Sequence, residues 1–449
     1  MISHANGQPR LYDGSIGFIA VLIVALMLSV SPMALNALGW NYDGLGGAGP
    51  TRFHPASYLT VLLFIFIALR DGNPLASAIS ALGYDFRLAL FAIVWVVVFY
   101  HGVKNQELPA AGLIDTFLMP MLMLMIFRRL GDITRTRIEA AMHALLAINA
   151  VLGLAEFLTG LRLTPYIAGG ILITDDWRST ALLGHPLGNA LMTGCYIMML
   201  LMGGGTLLHG RTRYAILGLQ FSAQVAFGGR ASIVLLILFA GVILMIGLFR
   251  FLAGARIPLK NIAIIGVLLP VLILGLGGLY ELGFFDKFIM RFVEDKGSAN
   301  ARIVMFELFR GFTWTELLLG PPQVNLNYYV HVHKLEFGIE SVWIAFSLYY
   351  GILPAILFFT GLLFFLFAVM ARCQKRGWLV IGYFFLVNTT FLGIAGKSIN
   401  FTNLIMMLLV LLPAIRLPQR VPNQDRATGE FGAPRFASTV PGQFNRGWR

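Results

Sequence analysis

Long apolar runs, separated by short polar turns, make up most of this chain. Many of the runs approach the ~20 residues that an α-helix needs to cross a bilayer. A few are shorter, and the run at 339–371 is long enough to tilt or kink. We therefore predict an all-α fold, a polytopic transmembrane helical bundle. Its twelve candidate spans lie at residues 16–38, 57–69, 88–100, 110–127, 138–158, 185–205, 213–228, 231–249, 261–280, 339–371, 378–395 and 399–415.

The one long polar interval inside this pattern lies between the ninth and tenth runs, at residues 281–338. We predict a large loop there that contains short amphipathic helices. Residues 416–449 are rich in proline, glycine and arginine and hold few large aliphatic residues, which is typical of chain that cannot bury enough to fold. The sequence thus predicts one transmembrane unit at 1–415, followed by a disordered basic tail.

Composition supports this class of protein. Of the residues, 58% are hydrophobic and 12% are charged, and a soluble protein carries about twice that charged fraction. Most lysines and arginines outside the 281–338 loop fall in turns that would share one side with the N-terminus, so we predict that both termini are cytoplasmic. The net charge of +12 then reflects membrane orientation, and we expect no nucleic-acid partner. The two cysteines indicate neither a disulfide framework nor a metal site.

Two arginines in outer turns are candidate anion ligands. Arg178 lies in the segment TDDWRSTALLGHP, where Asp175 and Asp176 could instead form a local ion pair with it and His185 could cap the next helix, which Pro186 begins. Arg230 stands between two apolar runs, directly after Gly228 and Gly229, which favour a helix break. An arginine at that depth is costly unless it faces a cavity or an anion. The alternative for Arg230 is a side chain that extends to the lipid headgroups.

Two further arginines lie in the predicted outer loop. The segment SANARIVMFELFRGF predicts one amphipathic helix that carries Arg302 near its start and Arg310 eight positions later. The two would lie about 12 Å apart along the axis. Arg302 is well placed to meet a bound phosphate, whereas Arg310 is equally well explained by phospholipid contacts.

Candidates for a general base follow in the same loop. His331 and His333 alternate in a run that we predict to be extended, and imidazole titrates near neutral pH. Glu340 begins the next apolar run, where Ser341 could cap the helix. Asp115 and Glu156 lie near the outer ends of their spans and are alternatives. No cofactor motif is present, and a His-X-His pair alone is weak support for a metal.

Several of these segments are similar to those of the O-antigen ligase and O-antigen polymerase superfamily of membrane glycosyltransferases. The similarity rests on twelve spans with one large outer loop, and on the segments NARIVMFELFRGFTWTELLLGPP, HKLEFGIESVWIAFSLYYGILPAILFF, RSTALLGHPLGNALMTG and GGRASIVLL. It covers roughly residues 110–415. In place of the family's His-Asn pair, this chain has His333-Lys334 and Glu340-Ser341, which looks more like polymerases of capsule or exopolysaccharide repeats.

The resemblance implies an enzyme of the bacterial inner (cytoplasmic) membrane whose large loop is periplasmic. Such enzymes transfer a glycan from undecaprenyl diphosphate to an acceptor glycan or glycolipid, without a metal or other cofactor. Membrane lipids surround them, and a chain-length regulator or a flippase is a further candidate partner. The resemblance assigns diphosphate binding to Arg178, Arg230, Arg302 and Arg310, and proton abstraction from the acceptor hydroxyl to His331, His333 or Glu340.

A transporter or flippase for an anionic or lipid-linked substrate is the alternative function. A transporter places ionisable groups near the bilayer midplane on broken helices. The charged residues of this chain cluster at the predicted outer edge instead, which favours chemistry at one face. Polymerase and ligase are not distinguished by the sequence.

Overall fold

Helices dominate the protein, for which we obtained a computed structural model. The structure describes residues 11–42, 49–168, 171–174, 176–254, 298–335, 338–391 and 393–414. The predicted span at 261–280, the first part of the predicted loop and the predicted tail at 416–449 lie outside these residues. The α-helices are α1 (Ser15–Ser29), α2 (Pro32–Ala37), α3 (Pro55–Arg70), α4 (Pro74–Gly83), α5 (Phe86–Tyr100), α6 (Ala110–Leu113), α7 (Met119–Phe127), α8 (Asp132–Thr159), α9 (Pro186–Leu201), α10 (Gly210–Phe227), α11 (Arg230–Leu252), α12 (Ser298–Glu307), α13 (Trp314–Leu319), α14 (Gln323–Val332), α15 (Val342–Tyr349), α16 (Ile352–Met370), α17 (Gly377–Val387) and α18 (Asn400–Leu411).

Short non-α segments complete the described structure. The π-helical turns His101–Asn105 and Ile114–Leu118 continue α5 and join α6 to α7. Three 3₁₀ turns span Gly49–Arg52, Leu308–Gly311 and Gly393–Ala395. A two-residue antiparallel pair, β1 (Ile167–Ala168) with β2 (Ile171–Leu172), lies between α8 and α9.

Among the described residues, five helical segments are long and apolar enough to cross a membrane. They are Phe86–Asn105, Ala110–Phe127, Asp132–Thr159, Arg230–Phe249 and Ile352–Met370. The pair α3 and α4, bent by 106°, adds a sixth if it counts as one broken span. Four shorter apolar helices, α1, α9, α17 and α18, pack with them. The protein is therefore helical with the character of a membrane protein, while the count of twelve spans stays a prediction.

Ion pairs define the two ends of the bundle. At one end, Asp71 pairs with Arg129 at 2.9 Å and accepts a hydrogen bond from the Tyr12 hydroxyl at 2.8 Å. We call it the Asp71 end, and it also holds Asp85, whose carboxylate lies 3.5 Å from Arg372. Helices α3 and α7 both terminate there, and so does α16. Their opposite termini lie together at the other end, which we call the Arg178 end.

Three hydrophobic clusters stabilise the described helices; a small one, made of Ala150, Ala181, Ala190, Ala223 and Phe227, packs α8, α9 and α10 against the loop before α9, and the other two are larger. The larger of these two cores runs through α1, α3, α5, α7, α9, α16, α17 and α18. The smaller of the two packs α12, α13 and α14 against α15. Its buried members are Met305, Leu308, Leu317, Leu326, Leu335, Ile339, Ile344, Ala345 and Leu348. Ala395, in the last 3₁₀ turn, packs against both cores.

The smaller core corrects two expectations. The run that contains His331 and His333 is not extended: α14 is helical from Gln323 to Val332, because Leu326, Tyr329 and Val330 face the core at helical spacing. The predicted single helix over 298–312 ends as α-helix at Glu307 and continues as a 3₁₀ turn.

The predicted span 339–371 is broken into α15 and α16. Gly351, at the break, has φ +95°, a conformation that other residues avoid. A Cβ atom at Gly351 would also lie 2.4 Å from the backbone nitrogen of Gly320, at the end of α13. The break therefore results from a close approach of two backbones. Pro354 does not itself break α16, because it lies in the first turn, where proline is tolerated.

Cysteine labelling of whole cells tests which end faces outward. Asn325 is exposed at the Arg178 end, and Arg137 is exposed at the Asp71 end. We expect Asn325→Cys to react with an impermeant maleimide in intact cells, and Arg137→Cys to react only after lysis. The native Cys195 and Cys373 are both buried, and burial raises the pKa of the Cys373 thiol to about 12, so background labelling stays low. The opposite labelling pattern would reverse the predicted orientation.

Candidate functional site

Glu156, near the end of α8, fixes the chain segment that carries Arg178. Its carboxylate accepts hydrogen bonds from the backbone N–H groups of Leu163 at 2.8 Å, Thr180 at 2.7 Å and Ala181 at 2.9 Å. The residue is only 6% exposed. These bonds occupy the carboxylate in the positioning of the 160–185 loop, a role that the sequence did not reveal.

Asn149, two helical turns before Glu156, forms hydrogen bonds with the same loop. Its side-chain oxygen accepts from the backbone N–H of Leu182 at 3.0 Å, and its amide donates to Asn189 at 2.9 Å. Between these anchors, Ala181 has φ +41°, an unfavourable conformation for a residue with a Cβ atom. Such strain persists only where surrounding contacts over-determine the backbone, and it is common at ligand sites.

Arg178 lies in this rigid loop and is 6% exposed. As the sequence allowed, it pairs with Asp176, whose Oδ2 lies 2.8 Å from Nε of the guanidinium. Burial by itself lowers the pKa of Arg178, but the hydrogen bonds and charge of Asp176 outweigh it and raise the pKa. The guanidinium also lies 5.7 Å from the ring centroid of Tyr166. Within the described part of the chain, its Nη1 donates no hydrogen bond.

Arg230 is brought beside this loop by the predicted helix break. Helix α10 ends at Gly228, which has φ +63°, and Arg230 is the first residue of α11. A Cβ atom at Gly228 would lie 2.8 Å from Trp177 and 2.9 Å from Cγ of Arg178. The backbone N–H of Ser179 donates to the carbonyl of Ala226 at 3.1 Å. Two of the predicted arginines therefore come from segments that are in direct contact.

The other predicted site residues lie in or next to the segments that pack as the smaller core. Arg310 and His331 are exposed, and His333 is partly exposed directly after α14. The structure describes no hydrogen bond or ion pair for these three side chains. Arg302 lies in α12, but its side chain is outside the described residues. Glu340 is partly exposed before α15, where Ser341 takes the N-cap position without a side-chain cap bond.

The segment Asn388–Ile399, which the sequence did not single out, connects these regions. The ring of Phe391 lies nearly parallel to that of His185, with their centroids 6.4 Å apart. Ala395 contacts the smaller core. Lys397 donates hydrogen bonds to the carbonyls of Tyr42 and Arg52, and its Nζ lies 3.8 Å from the centroid of the Tyr42 ring.

Asp115 anchors a second loop at the Arg178 end. It is fully buried and accepts hydrogen bonds from the Tyr42 hydroxyl and the His54 backbone N–H, both at 3.0 Å. Lys397 interacts with it electrostatically. His54 is also fully buried, which lowers its pKa. Asp115 thus stabilises the loop between α2 and α3 and has no exposed surface with which to contact a substrate. The described residues contain no cluster of three His, Cys, Asp or Glu side chains suited to a metal.

A matched pair of glycine substitutions tests the contact between the Arg178 and Arg230 segments. Gly228→Ala places a methyl group in a positive-φ position against Trp177 and Arg178, so we expect it to lower the melting temperature. Gly218→Ala, in the exposed middle of α10, meets nothing within 4 Å and should be neutral or stabilising by about 0.5–1 kcal/mol. Thermal unfolding in detergent measures both. Equal melting temperatures for the two variants would contradict the close approach.

No protein-family model matches the chain, and no curated protein matches it. The function must therefore be argued from the chain's own residues and from the geometry of the Arg178 end.

Proposed function

We propose that this protein is a metal-independent membrane glycosyltransferase, a glycan polymerase or ligase that uses an undecaprenyl-diphosphate carrier as donor. The observation that carries the proposal is the contact between the Arg178 segment and the turn before Arg230, which brings two arginines from separate segments to one end of an apolar bundle. Asp176 pairs with Arg178 there, and a charge in such surroundings is costly unless it meets an anion. A diphosphate attached to a long lipid is an anion that lies at that depth.

The proposed chemistry is a displacement at the anomeric carbon of the donor sugar. The acceptor oxygen forms a bond to that carbon, the carbon–oxygen bond to the diphosphate breaks, and the diphosphate leaves with the bonding electron pair. Negative charge on the diphosphate grows as this bond breaks. Arginines directed at it therefore stabilise the transition state more than the bound substrate. The Ala181 loop and its anchors support such preorganisation of Arg178.

The proton of the acceptor hydroxyl passes, in this proposal, to His331, His333 or Glu340. His331 lies in the last turn of α14, His333 directly follows that helix and Glu340 precedes α15; both helices pack in the smaller core, which meets the main bundle at Ala395. The proposal also assigns Arg302 to the diphosphate, and Arg310 either to the diphosphate or to lipid headgroups. The acceptor is a growing glycan or a glycolipid, and the product is a cell-surface polysaccharide such as O-antigen, capsule or exopolysaccharide.

We place this enzyme in the bacterial inner membrane with twelve spans. Both termini are cytoplasmic and the Arg178 end is periplasmic. The distribution of basic residues supports this orientation, because Arg70, Arg128, Arg129 and Arg372 lie at the Asp71 end. A chain-length regulator or a flippase is a candidate partner.

A transporter or flippase is the second candidate, because polar side chains do reach the bundle interior. Gln224 donates to Ser232 at 2.7 Å, and Ser232 bonds to the Tyr383 hydroxyl at 2.5 Å. These groups are neutral, and they bond to one another or to the carbonyl of Ala190. A path for an ion or an anionic lipid headgroup would call for ionisable groups at this depth, so the arrangement favours the enzyme.

Deletion of the gene separates these functions. We expect lipid-linked glycan to accumulate on the periplasmic face, as single repeats for a polymerase and as long chains for a ligase. Mass spectrometry of extracted lipids identifies the species, and digestion by an added glycosidase reports the face. Accumulation on the cytoplasmic face would instead indicate a flippase.

Lysine substitutions test whether Arg230 binds a diphosphate. Lysine keeps the charge but loses the two-pronged hydrogen-bond geometry of the guanidinium. We expect Arg230→Lys to be nearly as inactive as Arg230→Ala in polymer yield, with normal insertion. Arg310→Lys, exposed on the smaller core, should stay close to wild type if Arg310 contacts lipid headgroups. An active Arg230→Lys variant would show that charge alone suffices and would favour a headgroup contact for Arg230.

A further inference from the structure

His185 and the guanidinium of Arg178 both lie against the ring of Tyr166, and the mechanism above does not use His185. The residue takes the N-cap position of α9, where its Nδ1 accepts a hydrogen bond from the backbone N–H of Leu187 at 3.2 Å. The imidazole packs between Phe391 and the edge of the Tyr166 ring, whose centroid is 5.5 Å from its own. The ring is therefore fixed in position, and Nδ1 is fixed as an acceptor.

This arrangement determines where the imidazole carries its proton. A neutral imidazole has one donor nitrogen and one acceptor nitrogen. Because Nδ1 accepts from Leu187, the proton lies on Nε2. Among the described residues, Nε2 has no hydrogen-bond partner, and the residue is partly exposed. The site thus contains an oriented N–H donor with no acceptor within the described protein.

The cap bond favours the neutral imidazole. Protonation would make Nδ1 a donor and would break the hydrogen bond from Leu187. Arg178 and Asp176 are the charged groups that act on the ring, and Tyr166 is the other titratable group that faces it.

We propose that His185 is a further ligand-binding residue of this site, whose Nε2–H donates a hydrogen bond to a phosphate oxygen held by Arg178. The proposal rests on the proposed function, because it takes the diphosphate as the ligand. A neutral donor recognises a phosphate oxygen without adding a charge to the site. The cap bond and the two rings already fix the orientation of the His185 imidazole, so the side chain loses little conformational entropy when the ligand binds.

His185→Asn separates this role from helix capping. The asparagine oxygen is among the best N-caps, so it replaces Nδ1, but the shorter side chain has no group at the position of Nε2. We expect a melting temperature close to wild type. We also expect affinity for undecaprenyl diphosphate, measured with the purified protein in nanodiscs, to fall about tenfold or more, as for a lost hydrogen bond to a charged group.

His209→Asn is the matched control. His209 also takes an N-cap position, before α10 at the Asp71 end, but it is exposed and its side chain makes no cap bond. This variant should bind the lipid as the wild type does. Wild-type affinity in His185→Asn, with an intact fold, would overturn the role of His185 while leaving the proposed function standing. Failure of the wild-type protein to bind undecaprenyl diphosphate would instead count against the proposed function.

A spectroscopic measurement keeps the proposal testable if His185→Asn does not fold. In protein with ¹⁵N-labelled histidine, we expect the His185 signal to show the Nε2–H tautomer at pH 6–8. Inorganic pyrophosphate should shift the Nε2 resonance while Nδ1 remains an acceptor. A protonated or Nδ1–H ring, or an Nε2 resonance that does not move when pyrophosphate binds, would refute the proposal.

Discussion

The Arg178 end depends on one buried carboxylate, that of Glu156, which accepts hydrogen bonds from three backbone N–H groups of the adjoining loop. A buried N–H group left without a partner costs about 1–3 kcal/mol, and no water is available in the hydrocarbon region to reduce that cost. A loop can enter the end of an apolar bundle only if side chains satisfy its backbone. Glu156 and Asn149 do so here, and they hold Ala181 in an unfavourable conformation.

Asp115 satisfies buried polar groups of the loop between α2 and α3 in the same way. It accepts hydrogen bonds from the backbone N–H of His54 and the hydroxyl of Tyr42, and the positive charge of Lys397 is nearby. Both carboxylates were candidates for a general base on sequence grounds. Their burial and their hydrogen bonds assign them to the structure that positions other groups. A base needs contact with the acceptor hydroxyl, which the full burial of Asp115 and the three backbone hydrogen bonds to the nearly buried Glu156 disfavour.

Two features of the structure matter for the proposed chemistry: the rigidity of the Arg178 end, and the packing of His331 and His333 with a smaller core beside the main bundle. Arg178 and His185 are held by hydrogen bonds and ring contacts, so in our proposal the diphosphate meets groups that need little reorganisation. His331 and His333 lie on the smaller core, which contacts the bundle through Ala395. The proposal therefore assigns leaving-group binding to the bundle and proton abstraction to the smaller core.

The sequence alone determined the local features of this protein. Apolar runs predicted the helices, because a segment in lipid must satisfy its backbone hydrogen bonds internally, which an α-helix does. Gly228–Gly229 predicted the break before Arg230, and Pro186 with His185 predicted the start of α9. Asp175 and Asp176 were both predicted as local partners of Arg178, and Asp176 forms an ion pair with it. Each of these depends on residues close together in the chain.

Only the tertiary structure decided the features that join distant segments. The contact of Gly228 with Arg178 and the bonds from Glu156 to Thr180 and Ala181 link residues from different helices and loops. So does the stacking of Phe391 on His185. The helix at His331 likewise formed because a hydrophobic core selected one face of α14, against a local pattern that suggested an extended run. Packing decided these cases because the free energy of burial arises from neighbours that local sequence does not specify.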